Sequence, residues 1–457
     1  MKEKKGSFSG RIGFIMAAAG SAVGVGNLWR FPYLAAKYGG GIFILVYILL
    51  ALTFGFSFMR VEIAIGRKTK SSCMKAYKQL DKRFAFLGPL SAIVPILILP
   101  FYCVIGGWVF KYLYEYVVGN SAALVSDSYF GNLITVADSS LLANPLTWFF
   151  IFIVLTAIIV LFGVQKGVEN VSKFMMPILL IISIGIGFYS LSIPGAIYGL
   201  KYYLIPDFSK FSISTVLGAI GQMFFSMSLA MGIMITYGSY VNDEDNLESS
   251  VSMIEFLDTF VALFAGLMII PAFVAFNHGD VSNIVSGPGL MFEVLPKVFD
   301  FIPFGSFIGL LFFLLVFFAT ITSSISLMET CQNILADQFQ ISRKKAIVIV
   351  LGFSLVLGSL CCLGYGPLGA IKLFGLQILD FFDVLTNSIL MPIVALLSCI
   401  FIGHFLGLDV INEEVEKNGV KFKRKKLVYI MIKYVAPILL AIILIAEALK
   451  NLGLFSI

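Results

Sequence analysis

Apolar positions in this 457-residue chain fall in long unbroken runs, not in the period-two alternation of half-buried strands. A run of ~20 apolar residues is what a helix needs to cross a ~30 Å hydrocarbon core. Reading between the polar breaks predicts eleven such spans, centred near Gly24, Leu50, Ile98, Leu155, Ile182, Phe225, Leu263, Phe317, Leu355, Ile389 and Leu440. The expectation is an all-α polytopic membrane protein, a single transmembrane domain over residues 1–457. Spans 1–5 would cover about 12–192, spans 6–10 about 213–406 and span 11 about 428–449. Pro177, Pro271 and Pro392 fall inside spans. In a membrane such prolines are tolerated as kinks, because neighbouring groups re-satisfy the freed carbonyls.

Two runs are interrupted. The first contains GSAVGVGNLWRFPY, Gly20 to Tyr33, with three glycines, a serine, an asparagine and Arg30 where lipid alone would favour leucine. A glycine in a helix interior costs about 1 kcal/mol relative to alanine, so an unwound stretch around Gly24 and Gly26 is expected. Span 6, Ala219 to Tyr240, carries Ser226, Ser228 and Gly232 in the same place. Unwound backbone at membrane depth is viable only where it faces protein or lines a cavity. There it offers carbonyl oxygens to a hard cation and a helix N-terminus to a carboxylate. Breaks at matching positions, first in each group of five, predict an inverted five-plus-five repeat with one extra C-terminal span and a site at the midplane. Small residues in one span alone are equally well read as helix-packing positions.

Composition agrees: 59% of residues are hydrophobic and 13% charged, against about 25% charged in soluble domains. The net charge of +6 is no nucleic-acid signal. Basic residues gather in Lys2–Arg11, Arg67–Arg83, Arg343–Lys345 and Lys417–Lys426. That asymmetry predicts those loops and the N-terminus in the cytoplasm of a cell-membrane protein, with the C-terminus outside. The basic N-terminus shows no cleavable signal. The six cysteines lie mostly in apolar runs without metal spacing and read as fillers. His278 and His404 lie near span ends, far apart in sequence, so no nucleophile–base pair or metal cluster points to an enzyme. Polar faces repeated over several spans, which a channel would need, are absent.

RIGFIMAAAGSAVGVGNLWRFPYLAAKYGGGIF closely resembles the first span of the neurotransmitter:sodium symporters. The similarity runs on through EIAIGR, FYCVIGGW, GQMFFSMSLAMGIMITYGSY and FFATITSSISLMET, and so covers nearly the whole chain. Broken helices are the known geometry of that family. Within it the chain is similar to bacterial eleven-span amino acid transporters.

The resemblance implies one or two sodium ions beside an amino acid. The first ion would be held by the Ala22 carbonyl, Asn27, Ser226 and Asp258, with the substrate carboxylate completing the shell. The second would use the Gly20, Val23 and Ala319 carbonyls with the Thr322 and Ser323 hydroxyls. All-oxygen donors suit a hard monovalent ion. The family commonly has asparagine where this chain has Asp258, and its animal members supply a negative charge with bound chloride. Chloride independence is therefore expected. Gly24 leaves room for the substrate carboxylate, which would meet the N–H groups of Val25 and Gly26 and the Tyr102 hydroxyl. The ammonium would meet carbonyls of Ala22, Phe225 and Ser226 and the Ser228 hydroxyl. Val25, Ile98, Tyr102, Phe225, Met231, Ser323 and Leu327 would line an uncharged side-chain pocket, favouring a neutral hydrophobic or aromatic amino acid. Arg30 would form the outer gate with Asp380, Asp383 being a rival. Lys5, Phe8, Tyr240 and Asp337 would form the inner gate, and Glu62 would hold the unwound backbone of span 6. The alternative is a proton-coupled transporter of the same broken-helix superfamily. It would place a titratable group where this chain has Thr322 and Ser323.

Overall fold

The computed structural model of the chain describes residues 6–137, 140–280 and 287–451. Among these the architecture is helical, with two isolated β-bridges and no strand. Eight helices are long and apolar enough to cross a bilayer: Gly41–Thr69, Lys82–Val117, Val164–Leu191, Leu247–Phe276, Gly305–Phe339, Arg343–Leu363, Ile378–Leu406 and Lys425–Leu449. A ninth unit is the pair Arg11–Ala22 and Gly26–Lys37, bent by 52° at its break. Two shorter apolar helices, Pro145–Leu161 and Ile213–Ser226, complete the set. The second continues after a gap as Ile233–Gly238. Numbered in chain order, these segments are labelled spans 1 to 11, nine of them passing the length and hydropathy test among the described residues. Each predicted centre falls in its span, except Gly24, which falls in the break itself.

The helix starts follow local chemistry. Ser212 caps span 6: its hydroxyl accepts from the Thr215 N–H at 3.2 Å, and Thr215 Oγ1 accepts from the Ser212 N–H at 3.3 Å. Asn144 caps span 4 just before Pro145, which is suited to a first-turn position. Asn246 caps span 7 through the Ser249 N–H at 3.1 Å. The connections are less plain than the sequence suggests. Short helices Cys73–Leu80, Ala196–Leu204 and Leu295–Phe301 occupy stretches read as loops. They are too short to span a bilayer, so the hydropathy pattern does not register them.

The broken spans sit at the centre. The first half of span 1 packs on spans 5, 7 and 8. The two halves of span 6 both pack on span 2. Span 3 runs against span 8 on the opposite side. Wide π-type turns at Gly26–Arg30, Ala51–Gly55 and Val384–Leu390 bend spans 1, 2 and 10 near this centre. Gly66 and Gly238 let spans 2 and 6 touch: a Cβ on either would lie 2.0 Å or 2.3 Å from a backbone oxygen of the other.

Candidate functional site

In span 1 the helix stops at Ala22, and Val23 turns to an extended conformation with ψ 97°. Asn27 folds back on the break. Its Oδ1 accepts from the Gly24 N–H at 3.1 Å, and its own N–H bonds the Gly24 carbonyl at 3.1 Å. In span 6 the chain leaves the helix at Ser226 and passes through left-handed conformations at Ser228, Ala230 and Gly232, with φ of 53°, 59° and 70°. Non-glycine residues there are strained and persist only when the surroundings hold them. Glu62 is one such support, accepting from the Ala230 N–H at 3.3 Å while buried in span 2. Ser228 is another: its hydroxyl donates to the Ser21 carbonyl at 2.9 Å and so ties the two breaks together.

Two oxygen-rich clusters flank the breaks. In the first, the Asp258 carboxylate accepts from Asn27 Nδ2 at 2.8 Å and from the Ser226 hydroxyl at 2.8 and 3.1 Å. Asn27 and Asp258 are fully buried, Ser226 nearly so. In the second, four carbonyls converge on one hydroxyl. Ser323 Oγ lies 3.4 Å from the Gly20 oxygen, 3.1 Å from Ser21, 3.4 Å from Val23 and 3.0 Å from Ala319. Thr322 Oγ1 lies 3.1 Å from the same Ala319 oxygen. A hydroxyl has one proton and can satisfy one carbonyl at a time. Such grouped oxygens are the donor type a hard cation prefers.

Between the clusters lies a small, partly open cavity of about 30 Å³. Ala22, Gly24, Gly26, Ile98, Tyr102, Phe225, Ser226, Ser228, Met231, Ser323 and Leu327 all line it. Val25 is fully buried but does not. Ser21, Asn27 and Ile233 also line it. No lining residue carries a formal charge. Tyr102 is buried in the wall of the cavity. Glycine is required at both edges. A Cβ on Gly24 would lie 2.9 Å from Ser323 Oγ, and one on Gly26 would lie 2.4 Å from the Phe225 ring. Phe225 is thus seated directly on the unwound backbone.

Arg30 lies beyond Phe225, its guanidinium 5.5 Å from the ring centroid. Of the two rival outer partners, Asp380 accepts from the Tyr365 hydroxyl at 2.7 Å and Asp383 from Asn387 Nδ2 at 2.6 Å. Asp380 and Asp383 stand one turn apart, and the spacing alone does not choose between them. At the other end, Lys5 lies outside the described residues. Phe8 N–H donates to the Tyr240 carbonyl at 3.1 Å, and its ring packs on Tyr237 and Tyr240. Asp337 accepts from the Ser72 N–H at 2.7 Å. The Tyr240 hydroxyl donates to Glu329 at 2.8 Å.

Some neighbours are not evident from sequence reasoning. Glu329 is fully buried in span 8 and bonded through both oxygens to Arg343. Gln222 Nε2 donates to the Gly26 carbonyl at 3.0 Å. Tyr47 Oη lies 3.5 Å from Ser226 Oγ. The available signal was a polar side chain inside an apolar run, one turn before Ser226 for Gln222 and mid-span for Glu329.

A cavity between two broken helices, walled by oxygen donors and apolar side chains, is a construction found in secondary transporters. The model of the Sodium:neurotransmitter symporter family matches residues 5–124 and 119–454, and the chain belongs to that family. An uncharacterized sodium-dependent transporter, YhdH of Bacillus subtilis (strain 168), is 36% identical over 406 residues, covering 88% of each chain. An uncharacterized sodium-dependent transporter of Haemophilus influenzae is 31% identical, covering 97% of this chain and 98% of its own. Among solved structures, MhsT in complex with L-phenylalanine matches with a TM-score of 0.86 and 34% identity, covering 97% of this chain and 99% of that one. The protein is a membrane-embedded, sodium-dependent symporter with the helical fold of MhsT.

Proposed function

We propose that the chain carries a neutral hydrophobic or aromatic L-amino acid inward together with two sodium ions, independently of chloride, by alternating access. It would do so as one eleven-span domain, N-terminus cytoplasmic and C-terminus outside. The observation that carries the reading is the convergence of four carbonyls on the single Ser323 hydroxyl beside an uncharged cavity. The MhsT match, solved with L-phenylalanine bound, supports the substrate class.

The two oxygen clusters divide the work. Gly20, Val23, Ala319, Thr322 and Ser323 would hold one ion, binding spans 1 and 8 together. Ala22, Asn27, Ser226 and Asp258 would hold the other, next to the substrate carboxylate. Ion and carboxylate then share a contact, so each strengthens the other's binding by the same factor. Asp258 supplies a full negative charge, and this supports chloride independence. The substrate carboxylate would take the Tyr102 hydroxyl and the Gly26 N–H; its side chain would displace Phe225 and Met231, since about 30 Å³ is the room of roughly one water. Met231, unbranched and flexible, suits a site that must widen. Inward movement of two charges is driven by about 2.3 kcal/mol per charge per 100 mV.

Uptake of labelled amino acids into proteoliposomes tests the reading. Accumulation should require an inward sodium gradient and persist when gluconate replaces chloride. Uptake driven by a proton gradient without sodium would instead establish the proton-coupled alternative.

A further inference from the structure

A second cavity, of about 240 Å³, lies away from the transport site between spans 3, 8 and 9. Its walls include Leu99, Cys331, Leu335, Val350, Phe353 and Ser354. The lining is apolar except for one thiol and one hydroxyl, and Ser354 Oγ is buried with no hydrogen-bond partner among the described residues. The mouth is framed by Phe339, 68% exposed, and Ile349, 52% exposed. Apolar surface of that exposure on a membrane-spanning helix faces lipid, so the hollow is open to acyl chains. Just beyond the mouth, span 9 begins at Arg343. Arg343 is committed to Glu329, but Lys344 and Lys345 are exposed and in no ion pair among the described residues. The side of the membrane on which they lie rests on the orientation proposed above.

We propose that this hollow holds one acyl chain of an anionic phospholipid from the cytoplasmic leaflet, with its headgroup phosphate against Lys344 and Lys345. The apolar depth selects a chain, and the basic rim selects the charge; juxtamembrane lysines attract anionic headgroups at the cytoplasmic surface. The occupant also touches the transport machinery. Cys331, Leu335 and Phe339 stand on the part of span 8 that carries Glu329 and Asp337, so a seated chain braces span 8 against span 9 beside the Glu329–Arg343 joint. Lipid identity would then set how readily the inner gate opens.

The experiment is lipid retention by purified full-length protein. Detergent-solubilised protein is incubated with equal phosphatidylglycerol and phosphatidylcholine, washed, and its bound lipid measured by native mass spectrometry. The wild type should retain phosphatidylglycerol several-fold over phosphatidylcholine. The double variant Lys344→Gln/Lys345→Gln should lose that preference and still bind lipid. Ser354→Phe, which fills the hollow, should lose retention of both. Sodium-dependent amino acid binding in detergent serves as the check that each variant is folded, and it is read separately from lipid retention. Equal retention of the two lipids by the wild type overturns the proposal. So does undiminished retention in folded Ser354→Phe, or a protein dimer that this substitution abolishes.

Discussion

Asn27 and Asp258 are 231 positions apart in sequence, yet the Asn27 amide nitrogen lies 2.8 Å from the Asp258 carboxylate. Span 7 thereby closes the oxygen cluster that the break in span 1 opens. Ser226 joins both, and spans 1, 6 and 7 meet at one buried carboxyl group.

Replacing Asp258 should therefore alter ion dependence more than fold. Asp258→Ala removes the carboxylate that accepts from the Ser226 hydroxyl and from Asn27 Nδ2, at about 1–3 kcal/mol each, while the Asn27 bond to the backbone carbonyl of residue 258 remains. The sodium concentration for half-maximal amino acid binding should rise about tenfold or more. Asp258→Asn should rise less and should acquire stimulation by chloride, since the anion restores the missing charge. Sodium titrations in chloride and in gluconate read both; unchanged sodium dependence in Asp258→Ala would exclude this carboxylate from the ion site.

Ser323→Ala removes the hydroxyl on which four carbonyls converge. Sodium affinity should fall about tenfold, or about 1.4 kcal/mol. In potassium, where no ion fills the cage, thermal stability should change by less. A loss of stability equal in both salts would assign Ser323 to packing alone.

Gly26→Ala places a methyl group 2.4 Å from the Phe225 ring. The ring must lift, so amino acid binding should weaken while sodium still raises the melting temperature. Combining it with Phe225→Ala should recover part of the binding lost, a coupling that a double-mutant cycle measures. Simple additivity would refute the contact.

For the outer gate, a pairing of Arg30 with Asp383 predicts that Asp383→Asn slows transport by about tenfold and Asp380→Asn by much less. Initial rates of sodium-driven uptake, with substrate affinity measured alongside, separate gating from binding. The reverse order would return the gate to Asp380.

Long apolar runs announce membrane helices, and glycines inside such a run announce a break, so spans 1 and 6 were legible from residue types alone. The oxygen donors were legible only by resemblance, because a serine in an apolar helix, such as Ser323, bonds its own backbone as readily as a ligand. Partners set by the third dimension were not. Asp380 and Asp383 share a turn of span 10, and their partners Tyr365 and Asn387 come from the folded arrangement. Glu329 and Arg343 are fourteen positions apart, across the turn between spans 8 and 9, and neither announces the other. The short helices between spans escaped because the bilayer test is one of length.

The seat of Phe225 on Gly26, with Arg30 above the ring, makes one side chain serve two duties. Tilting that phenyl group also shifts the cation resting on it. A molecule too bulky to let the phenyl group settle therefore holds the outer latch apart. Such a compound would occupy the carrier without being carried, so the boundary between cargo and inhibitor is drawn by the thickness of one aromatic ring.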